Sequence, residues 1–277
     1  MNCVACGTVM DPALAPAVTH PTCLTFEEPG DENPFSQLLK TQLIEIIRWK
    51  DQQHPRSQQV AIGPSEIGDP CDRRIGYRIA GMEPCNTGFD PWAAIVGTAV
   101  HTWLDDAIQQ WMQQTQQEDW STETTLHLNE FIEGHADLYN FPYQAVIDWK
   151  TGGPDVMKKV RAHGPSPGYQ IQTHIYGYMF EEHGVPVRKV ALAFLPRAGW
   201  LKDMYVWSAD YDRSVAELAL SRLYGIAQKL LELDVLNQSH MWEQVDFEPS
   251  NSCGFCPFYD PGRDPERGAD GAGCPGR

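Results

Sequence analysis

The segment GHADLYNFPYQAVIDWKTGG, residues 134–153, constrains this chain most. It reads as two alternating strands, Ile132–Tyr139 and Gln144–Lys150, joined across a Pro-containing turn. Side chains alternate with a period of two along a strand. Glu133, His135, Asp137 and Tyr139 therefore share one face, as do Asp148 and Lys150, with Ile147 and Trp149 turned the other way toward a core. A hairpin centred on Pro142–Tyr143 sets Asp137 opposite Asp148. Directly opposed side chains have Cβ atoms about 5 Å apart. Two carboxylates that close repel unless a cation lies between them. An oxygen-ligated divalent ion is the natural occupant, with Lys150 beside it to stabilise developing charge or orient a water.

The rest of the chain supplies a frame for that hairpin. Apolar spacing predicts a helix over 34–53, a turn opening at Ser65, a helix from Cys71 to Ala80 and a long helix from Pro91 to about Gln114. Thr122–Leu128 is the first strand, and Glu123 shares a face with Thr125. A Gly/Pro loop then leads to a helix over 168–183. Strands follow at Lys189–Pro196 and Met204–Ser208, and an amphipathic helix at Asp210–Leu233. This order predicts an α/β or α+β fold with a central mixed sheet flanked by helices. At 277 residues with 42% hydrophobic content, the chain can bury a sizeable core.

The net charge is −16, which argues against a generic nucleic-acid coat, because phosphate binding rests on clustered cations. Two small basic clusters remain as local candidates: Arg73, Arg74 and Arg78, and Lys158, Lys159 and Arg161. No run approaches the roughly 18 apolar residues of a membrane span. The opening MNCVACG has neither the basic patch nor the apolar stretch of a signal peptide. A cytoplasmic protein without a disulfide framework is expected.

Eight cysteines stand at positions 3, 6, 23, 71, 85, 253, 256 and 274. Cys3 and Cys6, followed by His20 and Cys23, have the two-residue gaps of a tetrahedral Cys₃His zinc site. Residues 1–32 thus read as a small zinc-binding module with a linker, and 33–277 as the main domain, closed by a Gly-, Pro- and Asp-rich tail at 249–277.

Taken in order, Asp137, then Asp148-Trp149-Lys150, resembles the split motif of the PD-(D/E)XK nucleases, with Ala136 where the motif's name has Pro. More narrowly the chain is similar to the RecB-like branch that holds the iron–sulfur nucleases of CRISPR adaptation and the AddB nuclease domains. Gly97 to His101 resembles that branch's histidine motif, Gln172 to Tyr176 its Q-xxx-Y motif, and Ser65 through Cys71 to Tyr77 the segment with its first cluster cysteine. The resemblance covers about residues 63–260.

It implies a restriction-endonuclease-like fold and hydrolysis of DNA phosphodiesters, the work of an exonuclease on single-stranded ends. His101, Asp137, Asp148 and the Trp149 carbonyl would hold Mg²⁺ or Mn²⁺, joined by Glu123 if it matches an upstream acid of the family. An imidazole ligand leans the choice to manganese. Lys150 would position or deprotonate the water, and Gln172 and Tyr176 would close the site. Cys71, Cys253, Cys256 and Cys274 match a one-plus-three arrangement for a [4Fe–4S] cluster that ties the tail to an early helix. The seventeen residues between Cys256 and Cys274 exceed the family's usual spacing and keep a Cys₄ zinc site as the alternative. Arg73, Arg74, Lys158, Lys159 and Arg161 are the DNA-binding candidates. Implied partners are DNA and recombination or CRISPR integrase proteins, with homo-oligomerisation left open. Roles in DNA repair, recombination or spacer acquisition are all compatible. A nuclease-fold scaffold that binds DNA without cutting it is the competing function.

Overall fold

The structure, a computed structural model, describes residues 34–53, 61–88, 90–248, 253–262 and 273–276. The chain divides into two compact units, residues 1–54 and 55–277. The described part of the first unit is one helix, α1 (Pro34–Gln52), with Leu38, Leu43, Ile46 and Trp49 exposed. Cys3, Cys6, His20 and Cys23 lie outside the described residues.

The second unit is built on a five-stranded mixed sheet in the order β1-β2-β3-β4-β5. The strands are β1 (Trp120–His127), β2 (Glu133–Asn140), β3 (Ala145–Gly152), β4 (Lys189–Pro196) and β5 (Tyr205–Asp210). The first three form an antiparallel meander, β4 runs parallel to β3, and β5 closes the sheet antiparallel to β4. The parallel pair requires a long crossover, which two helices supply: α5 (Pro154–His163) and α6 (Pro167–Glu182). The other helices are α2 (Pro64–Ile67), α3 (Asp72–Ile79), α4 (Trp92–Thr115) and α7 (Arg213–Glu232). No helix among the described residues is long and apolar enough to cross a membrane.

α5 falls where the sequence pattern predicts only a loop. Its apolar contribution is two buried residues, Met157 and Val160, too few for a clear helical stripe. Its start and stop are nevertheless written locally, with Pro154 and Asp155 in the first turn and Gly164 at φ 75° just past the end. α7 begins at a true cap: Asp212 accepts the Ser214 backbone N–H at 2.9 Å.

Val146, Ile175 and Met179 are fully buried where β3 meets α6, and α7 adds Ala216, Leu220, Leu223 and Ile226 to the same core. Burying a side chain of this size contributes about 1.5–3 kcal/mol. Val146 shares its face with Asp148 and Lys150, so the acidic face of β3 points into the helix-covered layer. Ile147 and Trp149, expected on the core side, are only half-buried. α2 is held down by backbone contact: a Cβ on Gly68 would lie 2.6 Å from the Gly168 carbonyl oxygen of α6.

Candidate active site

The β2–β3 ladder pairs Asn140 with Ala145, Tyr139 with Val146 and Leu138 with Ile147, then stops. Asp137 and Asp148 occupy the next rung, where the strands part. Instead of a backbone pair, Asp137 Oδ2 accepts the Trp149 backbone N–H at 2.7 Å, so the carboxylate itself closes the gap. Both acids are buried, at 6% and 3% exposure.

Three more elements deliver side chains to this rung. From α4, His101 Nδ1 lies 3.1 Å from Asp137 Oδ1. From β1, Glu123 occupies the position across from Asp137, between the paired Thr122–Leu138 and Thr124–Ala136. Its φ of 44° is left-handed, a conformation rare for a residue with a side chain. Strain of this kind persists where the surrounding structure holds it, commonly at functional sites. One ligand atom each from His101, Glu123 and Asp137 lies within 4.8 Å of the other two. From α6, Gln172 Nε2 donates to Asp148 Oδ1 at 2.9 Å while its Oε1 accepts from Lys150 Nζ at 3.0 Å. Lys150 Nζ is also 2.5 Å from Asp148 Oδ2 and 4.8 Å above the centre of the Tyr169 ring.

His101, Asp137, Asp148, Lys150 and Gln172 line a polar cavity of about 240 Å³, with Glu133, His135, Tyr176 and the α2 residues Pro64 and Ser65 along its wall. Burial pushes the Asp148 carboxyl up to about 6, helped by the charge of Asp137 and opposed by Lys150 and His101. Burial would lower His101, but its hydrogen bond to Asp137 and the charges of both aspartates outweigh this and raise it. Asp148 Oδ2 is the buried side-chain oxygen among the described residues that lacks a directed hydrogen bond. An N,O,O donor group beside such an oxygen fits a divalent ion. Its charge would replace the proton that burial otherwise favours on Asp148.

Tyr169 was not among the expected site residues. It stands three residues before Gln172, on the same helix face, and that i,i+3 spacing was the available signal.

The arginine cluster of α3 is a correction. Arg73 is 4% exposed and donates to the carbonyls of Val245 and Glu243, with its guanidinium over Phe247. It fastens the 243–247 segment rather than facing solvent, because the two carbonyls and the ring it meets sit over α3. Arg74 pairs with Asp69 at 2.8 Å and Arg78 with Glu66 at 2.8 Å. Lys158, Lys159 and Arg161 are exposed on α5.

Cys71, Cys253, Cys256 and Cys274 line one cavity, together with Arg74 and Tyr77. Cys71 caps α3, and its N–H is held by Asp69 Oδ1 at 2.9 Å. Cys274 returns to the site through a bridge with Tyr259, which closes the long gap after Cys256. Burial pushes the Cys256 thiol up. Cys85 lies outside this group, and its backbone N–H binds the Pro257 carbonyl at 3.0 Å.

No protein-family model matches the chain, and no curated protein matches it by sequence. Among solved structures, SSO0001 is 18% identical with a TM-score of 0.42, over 70% of this chain and 88% of that one. A phage-related exonuclease from Haemophilus somnus 129PT is 14% identical with a TM-score of 0.38, over 56% of this chain and 77% of that one. The alkaline exonuclease LHK-Exo from Laribacter hongkongensis is 12% identical with a TM-score of 0.45, over 66% of this chain and 95% of that one.

Proposed function

We propose that this chain is a metal-dependent DNA nuclease of the PD-(D/E)XK type, cutting single-stranded ends as an exonuclease. The observation that carries this reading is the convergence of His101, Glu123 and Asp137 within 4.8 Å, beside an Asp148–Lys150–Gln172 network. His101, Asp137 and Asp148 would hold the ion, with Glu123 completing the group and manganese or magnesium as the metal. When bound, that ion polarises the phosphoryl oxygen and lowers the pKa of its water. Lys150 stands beside the acids to orient the attacking water and to meet charge developing on the phosphate. Gln172 holds Lys150 and Asp148 in mutual register, and Tyr176 walls the cavity.

The four cysteines around the tail cavity belong to the same proposal as ligands of a structural [4Fe–4S] cluster. A Cys₄ zinc site built from the same four thiolates is the alternative. This combination of nuclease site and cluster suits the RecB-like branch and work in DNA recombination, repair or spacer acquisition.

The test is cleavage of end-labelled single-stranded DNA with Mn²⁺. Wild-type protein shortens the strand, while Asp148→Ala and Lys150→Ala do not and still fold. Full activity in either variant overturns the site.

A further inference from the structure

Outside α5 and the β4–β5 loop, the exposed and half-buried cations described in the second unit mostly pair with carboxylates. Lys189 pairs with Asp210, Lys229 with Asp246, Arg222 with Asp72, and Arg213 with three glutamates. α5 and the loop between β4 and β5 break that pattern. Among the described residues, Lys158, Lys159 and Lys202 have no ion pair, although all three are exposed. Arg161 donates to the backbone carbonyl of Asp203, and Arg197 Nε reaches Thr151 Oγ1 at 3.4 Å; neither meets a carboxylate. These two elements hold five Lys and Arg against Asp155 and Asp203. In a chain of net charge −16 they form a local reversal of sign. Arg188, at the opposite end of β4, is the other exposed cation of the unit without an ion pair among the described residues.

The surface adjoins the candidate active site. The Arg197 backbone N–H binds the Gly152 carbonyl at 2.9 Å, two residues beyond Lys150. α5 packs through Met157 and Val160 onto Leu192 and Phe194. Those residues pair in register with Asp148 and Lys150 and so share their face of the sheet. The Arg161–Asp203 bond joins α5 to the loop. At the tip of the loop Trp200 is 72% exposed, its ring available for stacking.

We propose that α5 and the β4–β5 loop form the track along which a single strand of DNA reaches Lys150. The backbone phosphates lie against Lys158, Lys159, Arg197 and Lys202, and a base stacks on Trp200. This deepens the nuclease reading and rests on it. A row of unneutralised cations with an exposed aromatic is the combination that holds single strands without reading their sequence.

The experiment uses the full chain with a fluorescent oligothymidylate, read by anisotropy in EDTA so that no cleavage occurs. In the Lys158→Gln/Lys159→Gln variant, affinity falls and the slope of log K against log salt shrinks by about 1.4, the loss of two phosphate contacts on a single strand. Trp200→Ala weakens binding by about 5- to 150-fold. Lys229→Gln, at a neutralised position, binds as wild type. In the Mn²⁺ assay the double lysine variant raises KM and leaves kcat unchanged, the signature of lost uniform binding. Wild-type affinity and salt slope in both track variants overturn the track, and leave the nuclease reading standing if wild-type protein cuts DNA. Wild-type protein that neither binds nor cuts single strands overturns both. Displacement of the oligonucleotide by polyglutamate at equal charge concentration reassigns the surface to an acidic peptide and also overturns the track.

Discussion

Gln172 donates from Nε2 to Asp148 Oδ1 across 2.9 Å, and its other amide atom accepts from Lys150. One amide thus satisfies an acid and a base that alternate along β3, and it does so from a different element. Gln172→Ala removes both bonds at once. We expect kcat to fall roughly 100-fold, the scale of a small misplacement of reacting groups, and stability to fall by about 1–3 kcal/mol, because buried Asp148 Oδ1 loses its donor. Single-turnover cleavage beside a melting curve checks it, and unchanged kcat would sink the positioning role.

Gly134 is the residue over which the cavity wall closes. A Cβ there would lie 2.7 Å from Pro64 Cδ and 2.8 Å from Tyr176 Cε1. Gly134→Ala should therefore destabilise the fold by about 1–3 kcal/mol through overpacking. Urea denaturation measures this, and a midpoint equal to wild type would show that α2 yields freely.

Arg73 is the anchor of the 243–247 segment. Replacing it with Met keeps much of the stem but leaves the buried carbonyl of Val245 without its donors. An unsatisfied buried acceptor costs about 1–3 kcal/mol. The variant should expose the tail to limited proteolysis before the sheet, whereas loss of the whole fold in one step would contradict a local role.

His174 makes stability depend on pH. It is buried at 6% exposure, and its Nδ1 accepts the Asp212 backbone N–H at 3.2 Å, which requires an unprotonated nitrogen. Burial lowers its pKa, opposed by the charge of Asp212. A histidine lowered on folding contributes stability above its unfolded pKa of about 6.5, and that stability is lost as pH falls below it. His174→Gln, which can still accept the bond, should show a smaller drop in urea midpoint between about pH 7.5 and about pH 5 than wild type does. An identical drop in both proteins would exclude His174 as a source.

The four-cysteine cavity predicts bound iron. Anaerobically purified protein should be brown and contain about four irons per chain, and Cys256→Ser should lose both colour and iron. A colourless protein with stoichiometric zinc would replace the cluster with the zinc alternative.

All five strands were legible in the sequence, the first three from period-two alternation, which each strand carries in its own side chains. Most helices were legible from their apolar spacing. The order of His101, Asp137, Asp148, Lys150, Gln172 and Tyr176 along the chain was equally open to reading, as was the hairpin register that sets the two aspartates on one rung. α5 was not, since two buried residues make too thin a stripe to register as a period.

Tertiary structure decided the rest, because it depends on which distant groups meet. The strands part at Asp137, so its carboxylate takes a backbone N–H where a ladder pair was due. Arg73 looks like any basic residue in a row of three until the carbonyls of residues 243 and 245, some 170 positions away, close around it. Sequence alone determined the local periods and the inventory of chemical groups. Folding determined which charges are neutralised and which are left facing water, because charge pairing is a property of neighbours in space and not along the chain.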